Sequence, residues 1–220
     1  LGNQIRMARE LEIAASLQQA LLPPTPAHPD FDFVGRMRPA DEVGGDFYDV
    51  LRDGDENNLW ITIGDVSGHG LDAGLVMLMT QAAFASQFRA SAQANPRDAV
   101  RNVNQLLCEN IAERLRDRKY VTAQVFAYRG KGQFLCAGAH QPTIVYRANK
   151  KECETIEIPG PWLGIDPGIS DIPVVPIVLG PDDILCLYTD GMPEARDAAG
   201  NLFDIPRFVA LIAEMAQKHT

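Results

Sequence analysis

The sequence predicts an α+β fold: two antiparallel sheets packed face to face, with helices on the outer sides. Three observations carry this. Short apolar or alternating runs bounded by Gly, Asp and Asn come early, as in DFYDVLR and NLWITIGDV. Two long helical stretches then follow one another, and strand texture returns afterwards in a block. A β-α-β alternation would predict a parallel sheet, whereas strands in blocks with grouped helices predict antiparallel sheets. A length of 220 residues suits one domain with a short extension. With 46% hydrophobic and 22% charged residues, a packed core is within reach.

Residues 1–22, LGNQIRMARELEIAASLQQALL, contain no breaker before Pro23-Pro24 and predict a helix. Leu1, Ile5 and Ala8 fall on one stripe, and Leu11, Ala14, Leu17 (or Gln18) and Leu21 on another. Two stripes suit contact with the body of the domain and with a partner helix; an ordinary helix packed on its own core has the same pattern. PPTPAHPD (23–30) cannot be helical. FDFVGRMRPA, DFYDVLR and NLWITIGDV have strand texture. A helix opens at Leu71, with Leu75, Met79, Ala82 (or Ala83) and Phe84 along one side. A second covers 96–116, with Asn95 as cap, Pro96 in the first turn, and Val100, Val103, Leu107, Ile111 and Leu115 as its apolar stripe. Strands resume in YVTAQVFAYR, QFLCAGA, PTIVYR and CETIEI. A loop rich in Pro and Gly spans 159–173, VVPIVL and DILCLYTD follow, and a last helix covers about 205–218.

Twenty Lys and Arg stand against twenty-nine Asp and Glu, a net charge of -9. A nucleic-acid footprint needs a basic face, so a role built on phosphate-backbone contacts is not expected. No run approaches the roughly 18 apolar residues of a membrane span. Four scattered cysteines (Cys108, Cys136, Cys153, Cys186) without C-x-x-C spacing suit a reducing compartment, and no signal peptide is visible, which together predict a cytoplasmic location. The chain begins at Leu1, which predicts a piece of a longer protein.

The acids are not spread evenly. EVGGDFYD holds Asp46 and Asp49, WITIGDVSGHG holds Asp65, and LCLYTDGMPEARD holds Asp190 and Glu194. In the second and third, an apolar run ends in an Asp beside a Gly. A buried strand would deliver the carboxylate at its tip, and the glycine would let backbone come close to whatever it holds. Oxygen-only sites of this kind suit Mg²⁺ or Mn²⁺. A turn alone explains one Asp-Gly at a strand end; three such sites, each abutting an apolar strand, favour a metal.

EVGGDFYDV, GDVSGHGLDAGLVM and LYTDGMPEARDAAGNLF closely resemble the signature segments of the SpoIIE/RsbU branch of the bacterial metal-dependent, type 2C-like (PPM) serine phosphatases. FLCAGAHQPTIVYR and PGPWLGI resemble further segments of that branch, in the same order. The similarity runs from about residue 16 to about residue 208 and is specific in combination. LQQALLPP resembles the helix that joins a sensory or receiver module to this domain in the family.

The resemblance implies a four-layer α/β/β/α sandwich with an N-terminal linker helix. It divides the chain into a linker and switch helix (1–22) and a phosphatase domain (23–220). It implies two Mn²⁺ or Mg²⁺ ions and a catalytic set of Asp46, Asp65 and Asp190. Asp46 would be a ligand, Asp65 would bridge both ions with the Val66 carbonyl adding a ligand, and Asp190 would bind the other ion, Gly191 permitting close approach. Metal-activated water would hydrolyse phosphoserine or phosphothreonine. The implied substrate is a phosphorylated anti-sigma-factor antagonist of STAS type in a partner-switching system. The helix 1–22 would connect an upstream sensory or receiver domain and support a homodimer. The family closes with a further acidic motif before a last strand, so a chain stopping at Thr220 is expected to lack that strand and ligand; Asp197 and Asp204 are the nearest acids. The alternative is a phosphatase-like module that binds its partner without turnover.

Four residues are secondary candidates. Asp49 would orient Asp46, Arg38 would clamp phosphate, Gly191 would allow close approach, and His69 would protonate a leaving oxygen, although a place at the helix start explains His69 better. His140 and His28 are read as structural and solvated respectively. Ser67 has no His-Asp set around it and is not read as a nucleophile.

Overall fold

The computed structural model describes residues 2–24, 27–38, 43–53 and 58–219. Helix α1 (Gly2–Ala20) comes first, then strands β1 (Phe47–Arg52) and β2 (Leu59–Val66). Helices α2 (Leu71–Ala90) and α3 (Pro96–Cys108) follow, the latter continuing into a π-helical segment, Glu109–Leu115. Strands β3 (Val121–Tyr128), β4 (Gln133–Ala139), β5 (Thr143–Arg147), β6 (Glu152–Ile156), β7 (Val175–Val178) and β8 (Ile184–Cys186) precede α4 (Ile205–His219).

Five strands form one antiparallel sheet in the order β1-β2-β3-β4-β7, and three form a second in the order β6-β5-β8. Alternation along the strands sorts the core into layers. Trp60 and Val66 on β2, and Val121, Ala123, Val125 and Ala127 on β3, pack against α2 and α3. Their strand neighbours Leu59, Ile63, Phe126 and Tyr128 face the other way, towards Val145 of the second sheet. Beyond that sheet, Ile144 and Tyr188 meet Phe208 of α4. The layers are therefore helices, sheet, sheet, helix, as the sequence predicts.

Three predicted details change. FDFVGRMRPA forms no strand over its described residues 31–38. Phe31 and Phe33 do point one way, but onto Tyr128 and Phe134 as an aromatic cover rather than into a ladder. His28 joins that cover, 5.5 Å from the Tyr128 ring, and so is not simply solvated. In α2 the buried face is Ala73, Val76, Met77, Thr80, Phe84 and Phe88, whereas Leu75 is exposed. The apolar residues of this helix lie on all its sides, so periodicity does not choose its face; the choice falls to Gly74, where a Cβ would lie 2.4 Å from Val43. In α3 the predicted stripe holds through Ile111, and then the wider π turn shifts the register and leaves Leu115 exposed.

Of the α1 stripes, Leu1, Ile5, Ala8 and Leu11 lie outside the described side chains. Of the rest, Gln18 is buried while Leu17 and Leu21 are exposed. All four cysteines are free thiols. No helix among the described residues is long and apolar enough to cross a membrane.

Candidate metal centre

Asp46 immediately precedes β1, Asp65 lies near the end of β2 opposite Thr122, and Asp190 follows β8. One carboxylate oxygen from each comes within 4.8 Å of the other two. Three separate segments thus deliver three half-buried acids to one point. At an effective dielectric of about 20, two carboxylates that close repel by roughly 3 kcal/mol or more when both are ionised. Burial pushes the Asp65 carboxyl up to about 7, and the charges of Asp46 and Asp190 add to the shift. Burial likewise raises Asp46, helped by Asp190 and opposed by a hydrogen bond from the Thr189 hydroxyl.

Asp46 Oδ1 is buried without a hydrogen-bond partner. A buried unpartnered oxygen in a cluster of like charges is costly unless a cation completes it. Oxygen-only donors converging in this way fit a hard divalent cation.

The surrounding backbone is fitted around the cluster. The Val66 N–H donates to the Gly45 carbonyl (3.2 Å), and the Gly70 N–H donates to the Val43 carbonyl (3.3 Å). These bonds stitch the first acidic motif to the second. A Cβ on Gly45 would lie 2.6 Å from the Val66 carbonyl oxygen and 2.9 Å from Asp65 Oδ1. That position tolerates only glycine, and it places the Val66 carbonyl beside the cluster. Gln18 of α1 secures the same loop. Its Nε2 donates to the Gly44 carbonyl (3.0 Å) and its Oε1 accepts from the Gly44 N–H (3.2 Å).

The secondary candidates fare differently. Asp49 accepts from Gln81 Nε2 (3.4 Å) and from the Val50 N–H (2.9 Å), so its bonds tie β1 to α2 rather than orient Asp46. Gly191 is exposed, and a Cβ there would meet no protein atom within 4 Å. Arg38 is exposed, with no hydrogen bond or ion pair among the described residues. His69 is exposed at the start of α2, between two glycines with φ of 88° and 85°. Ser67 Oγ accepts from the Tyr120 N–H (2.9 Å). Asp197 accepts from Ala199 and Asn201 to close a turn, and Asp204 accepts from the Arg207 N–H (2.9 Å) at the start of α4.

The sequence motifs carry no role for Gly45 or Thr189, and Gln18 enters them only as an alternative to Leu17 on the α1 stripe. The glycine doublet before Asp46 was a readable signal for Gly45, and a lone glutamine on an apolar stripe was one for Gln18.

The four-layer sandwich matches the fold of PP2C-like phosphatase domains. The SiaA-PP2C domain of Pseudomonas aeruginosa superposes with a TM-score of 0.72 at 22% identity, covering 98% of this chain and 84% of that one. The RsbU and RsbW domains of a Mycobacterium tuberculosis protein give 0.63 at 24% identity, covering 83% and 48%. The sequence profile of the Stage II sporulation protein E (SpoIIE) family matches residues 55–220, and the chain belongs to that family. It is 30% identical over 216 residues to a Bacillus subtilis (strain 168) protein named phosphoserine phosphatase RsbU, covering 97% of this chain. It spans 62% and 35% of the lengths of the curated relatives it matches.

Proposed function

We propose that this chain is the catalytic domain of a metal-dependent protein serine phosphatase. The observation that carries the reading is the convergence of Asp46, Asp65 and Asp190 within 4.8 Å. Two Mn²⁺ or Mg²⁺ ions would be held by these carboxylates, with the Val66 carbonyl as a further ligand. Bound there, the cations supply Lewis acidity at a phosphoryl group and ease the ionisation of water. The chain's own part is to hold three carboxylates close and oriented; their burial and mutual repulsion oppose ionisation, which a bound cation would favour. Gly45 removes the side chain that would separate Asp65 from the first motif, and the Thr189 hydroxyl favours the ionised form of Asp46.

The Bacillus subtilis relative is named a phosphoserine phosphatase, which supports phosphoserine as the group attacked; the substrate proposed is a regulatory protein of the anti-sigma-factor antagonist type in a partner-switching system. Residues 1–22 are proposed as the linker and switch helix from an upstream module. Ile13, Leu17 and Leu21 form an exposed stripe at four-residue spacing, which suits a second copy of the helix. Gln18, on the neighbouring face, would pass a displacement of α1 to the Gly44–Asp46 loop.

The test is phosphate release from a phosphoserine protein with and without Mn²⁺. Asp65→Asn is expected to lower turnover by on the order of 10³-fold, about 4 kcal/mol, and to abolish the Mn²⁺-induced rise in melting temperature. A variant that still turns over and still binds Mn²⁺ as the parent does removes Asp65 from the site. Mn²⁺ binding without turnover on any phosphoprotein would leave the non-catalytic binding module.

A further inference from the structure

A platform made by a stacked aromatic pair stands at the start of β3, two residues before Thr122, the cross-strand partner of Asp65. Ser67 and Tyr120 extend the β2–β3 ladder by one pair past Val66 and Val121: the Ser67 N–H donates to the Tyr120 carbonyl (2.8 Å) and the Tyr120 N–H to Ser67 Oγ. Strand alternation puts Tyr120 on the same face as Thr122, and hence as its partner Asp65. The Tyr120 ring stacks on Trp162, with centroids 4.8 Å apart and planes 13° apart. Trp162 is nevertheless 52% exposed, and Ile165 beside it is exposed as well.

The fold invests in keeping this tryptophan in place. Leu163 pairs with Val121 through two backbone hydrogen bonds of 2.8 and 2.9 Å. Asn104 of α3, 1% exposed, accepts from the Gly164 N–H (2.9 Å) and donates to the Asp166 carbonyl (2.7 Å). A fully buried side chain thus clamps a loop that buries Leu163 in the core and leaves its neighbours Trp162 and Ile165 exposed. A preorganised, half-exposed tryptophan is the kind of anchor that dominates protein interfaces.

Charge selects the occupant. The chain has a net charge of -9, yet ERLRDRK (113–119), directly before Tyr120, has four cations against two acids. A left-handed turn at Arg116 (φ 55°) ends the π-helical segment and leads this run to the platform. The guanidinium groups of Arg116 and Arg118 are exposed, with no ion-pair partner among the described residues. Cations left unpaired on an acidic protein, next to an aromatic anchor, suit an acidic segment that carries an apolar side chain.

We propose that Trp162, stacked on Tyr120 and flanked by Arg116 and Arg118, docks the acidic, apolar-containing segment of a phosphoserine protein beside the catalytic acids. The proposal rests on the phosphatase reading above and deepens it: the platform selects the protein, and the acidic cluster acts on the phosphate.

The test uses a fluorescein-labelled peptide in which phosphonomethylalanine, a non-hydrolysable phosphoserine mimic, is flanked by glutamates and a leucine. Its affinity for the Mn²⁺-loaded chain is measured by anisotropy. Trp162→Ala and the double variant Arg116→Glu/Arg118→Glu should each weaken binding roughly ten-fold. Trp162→Phe should retain most of it. The other tryptophan, Trp60, is fully buried, so iodide quenching reports on Trp162, and saturating peptide should protect it. Equal affinities across the variants, undiminished quenching, or a lysine-flanked peptide binding as well as the acidic one would each overturn the proposal. So would self-association of the parent chain that Trp162→Ala abolishes, since the platform would then belong to a second copy. Mn²⁺-dependent hydrolysis of p-nitrophenyl phosphate by the unaltered chain reports separately on the phosphatase reading.

Discussion

The two sheets hold the two sides of the site in different ways. Strands β2 and β3 lie inside the five-stranded sheet, with both faces covered, and Asp65 sits within their ladder opposite Thr122. Strand β8 is a three-residue edge of the smaller sheet, and Asp190 hangs beyond it in a turn whose next residues, Gly191 and Met192, are exposed. One acid is thus built into a central ladder and the other into a turn beyond an edge strand, although both carboxylates are half-buried. Local opening concentrates where burial is thin. A centre made this way keeps one carboxylate as a fixed reference and lets another adjust to what binds.

The contrast should be largest in stability. Phe126 is fully buried on β3 between the sheets, and Phe126→Ala should cost about 3–5 kcal/mol in urea unfolding. Ile184 on β8 is 38% exposed, and Ile184→Ala should cost about 1 kcal/mol. Similar losses at the two positions would mean that the small sheet is as firmly held as the large one.

His140 joins the two halves and gives the next effect. Its Nδ1 is 2.9 Å from Thr122 Oγ1, opposite Asp65, and the Tyr188 backbone lies near its ring. Burial pushes its pKa down to about 4, with the Tyr188 backbone opposing. The unfolded chain therefore takes up a proton first, so stability present above pH 6.5 is lost as pH falls towards 4, by about 3 kcal/mol at most. Asp65 acts with the opposite sign in metal-free protein. Its raised pKa contributes stability that is full below about 3.8 and lost as pH rises to about 7. Metal-free Asp65→Asn should accordingly show a steeper acid loss than the parent chain, and His140→Gln in that background should flatten it. Guanidinium unfolding at stepped pH is the measurement; a parent slope as steep as the variant's would contradict the coupling of the two groups.

The layers and the acidic trio were legible because they rest on strong local signals. Apolar runs such as DILCLYTD and the Asp-Gly pairs mark strand ends whatever surrounds them. What was not legible depends on which surface meets which. DILCLYTD yields only Ile184–Cys186 as strand because one neighbour, β5, pairs with it. The face of α2 is set by Val43 arriving over Gly74, a contact from a segment distant in sequence. Asp49 resembles a partner of Asp46 in sequence, yet β1 turns its carboxylate to Gln81. Leu115 continues a clean stripe until the π turn displaces it.

Glycine gives the subtlest test, because the sequence treats Gly45 and Gly191 alike and the structure does not. Both adjoin a site aspartate. At Gly45 a methyl group would press on the Val66 carbonyl at 2.6 Å, and backbone must shift to admit it. Overpacking of that kind costs about 1–3 kcal/mol, and the shift falls on Asp46 and Asp65, so Gly45→Ala should weaken Mn²⁺ binding as well as the fold. At Gly191 the added methyl meets open space, and no left-handed φ demands glycine. Gly191→Ala should change stability by no more than about 0.5 kcal/mol, with Mn²⁺ affinity by calorimetry close to that of the parent. If Gly191→Ala were the more damaging of the two, the Asp190 turn would have to close down on its ligand far more tightly than its exposure implies. The fixed and adjustable sides of the centre would then exchange places.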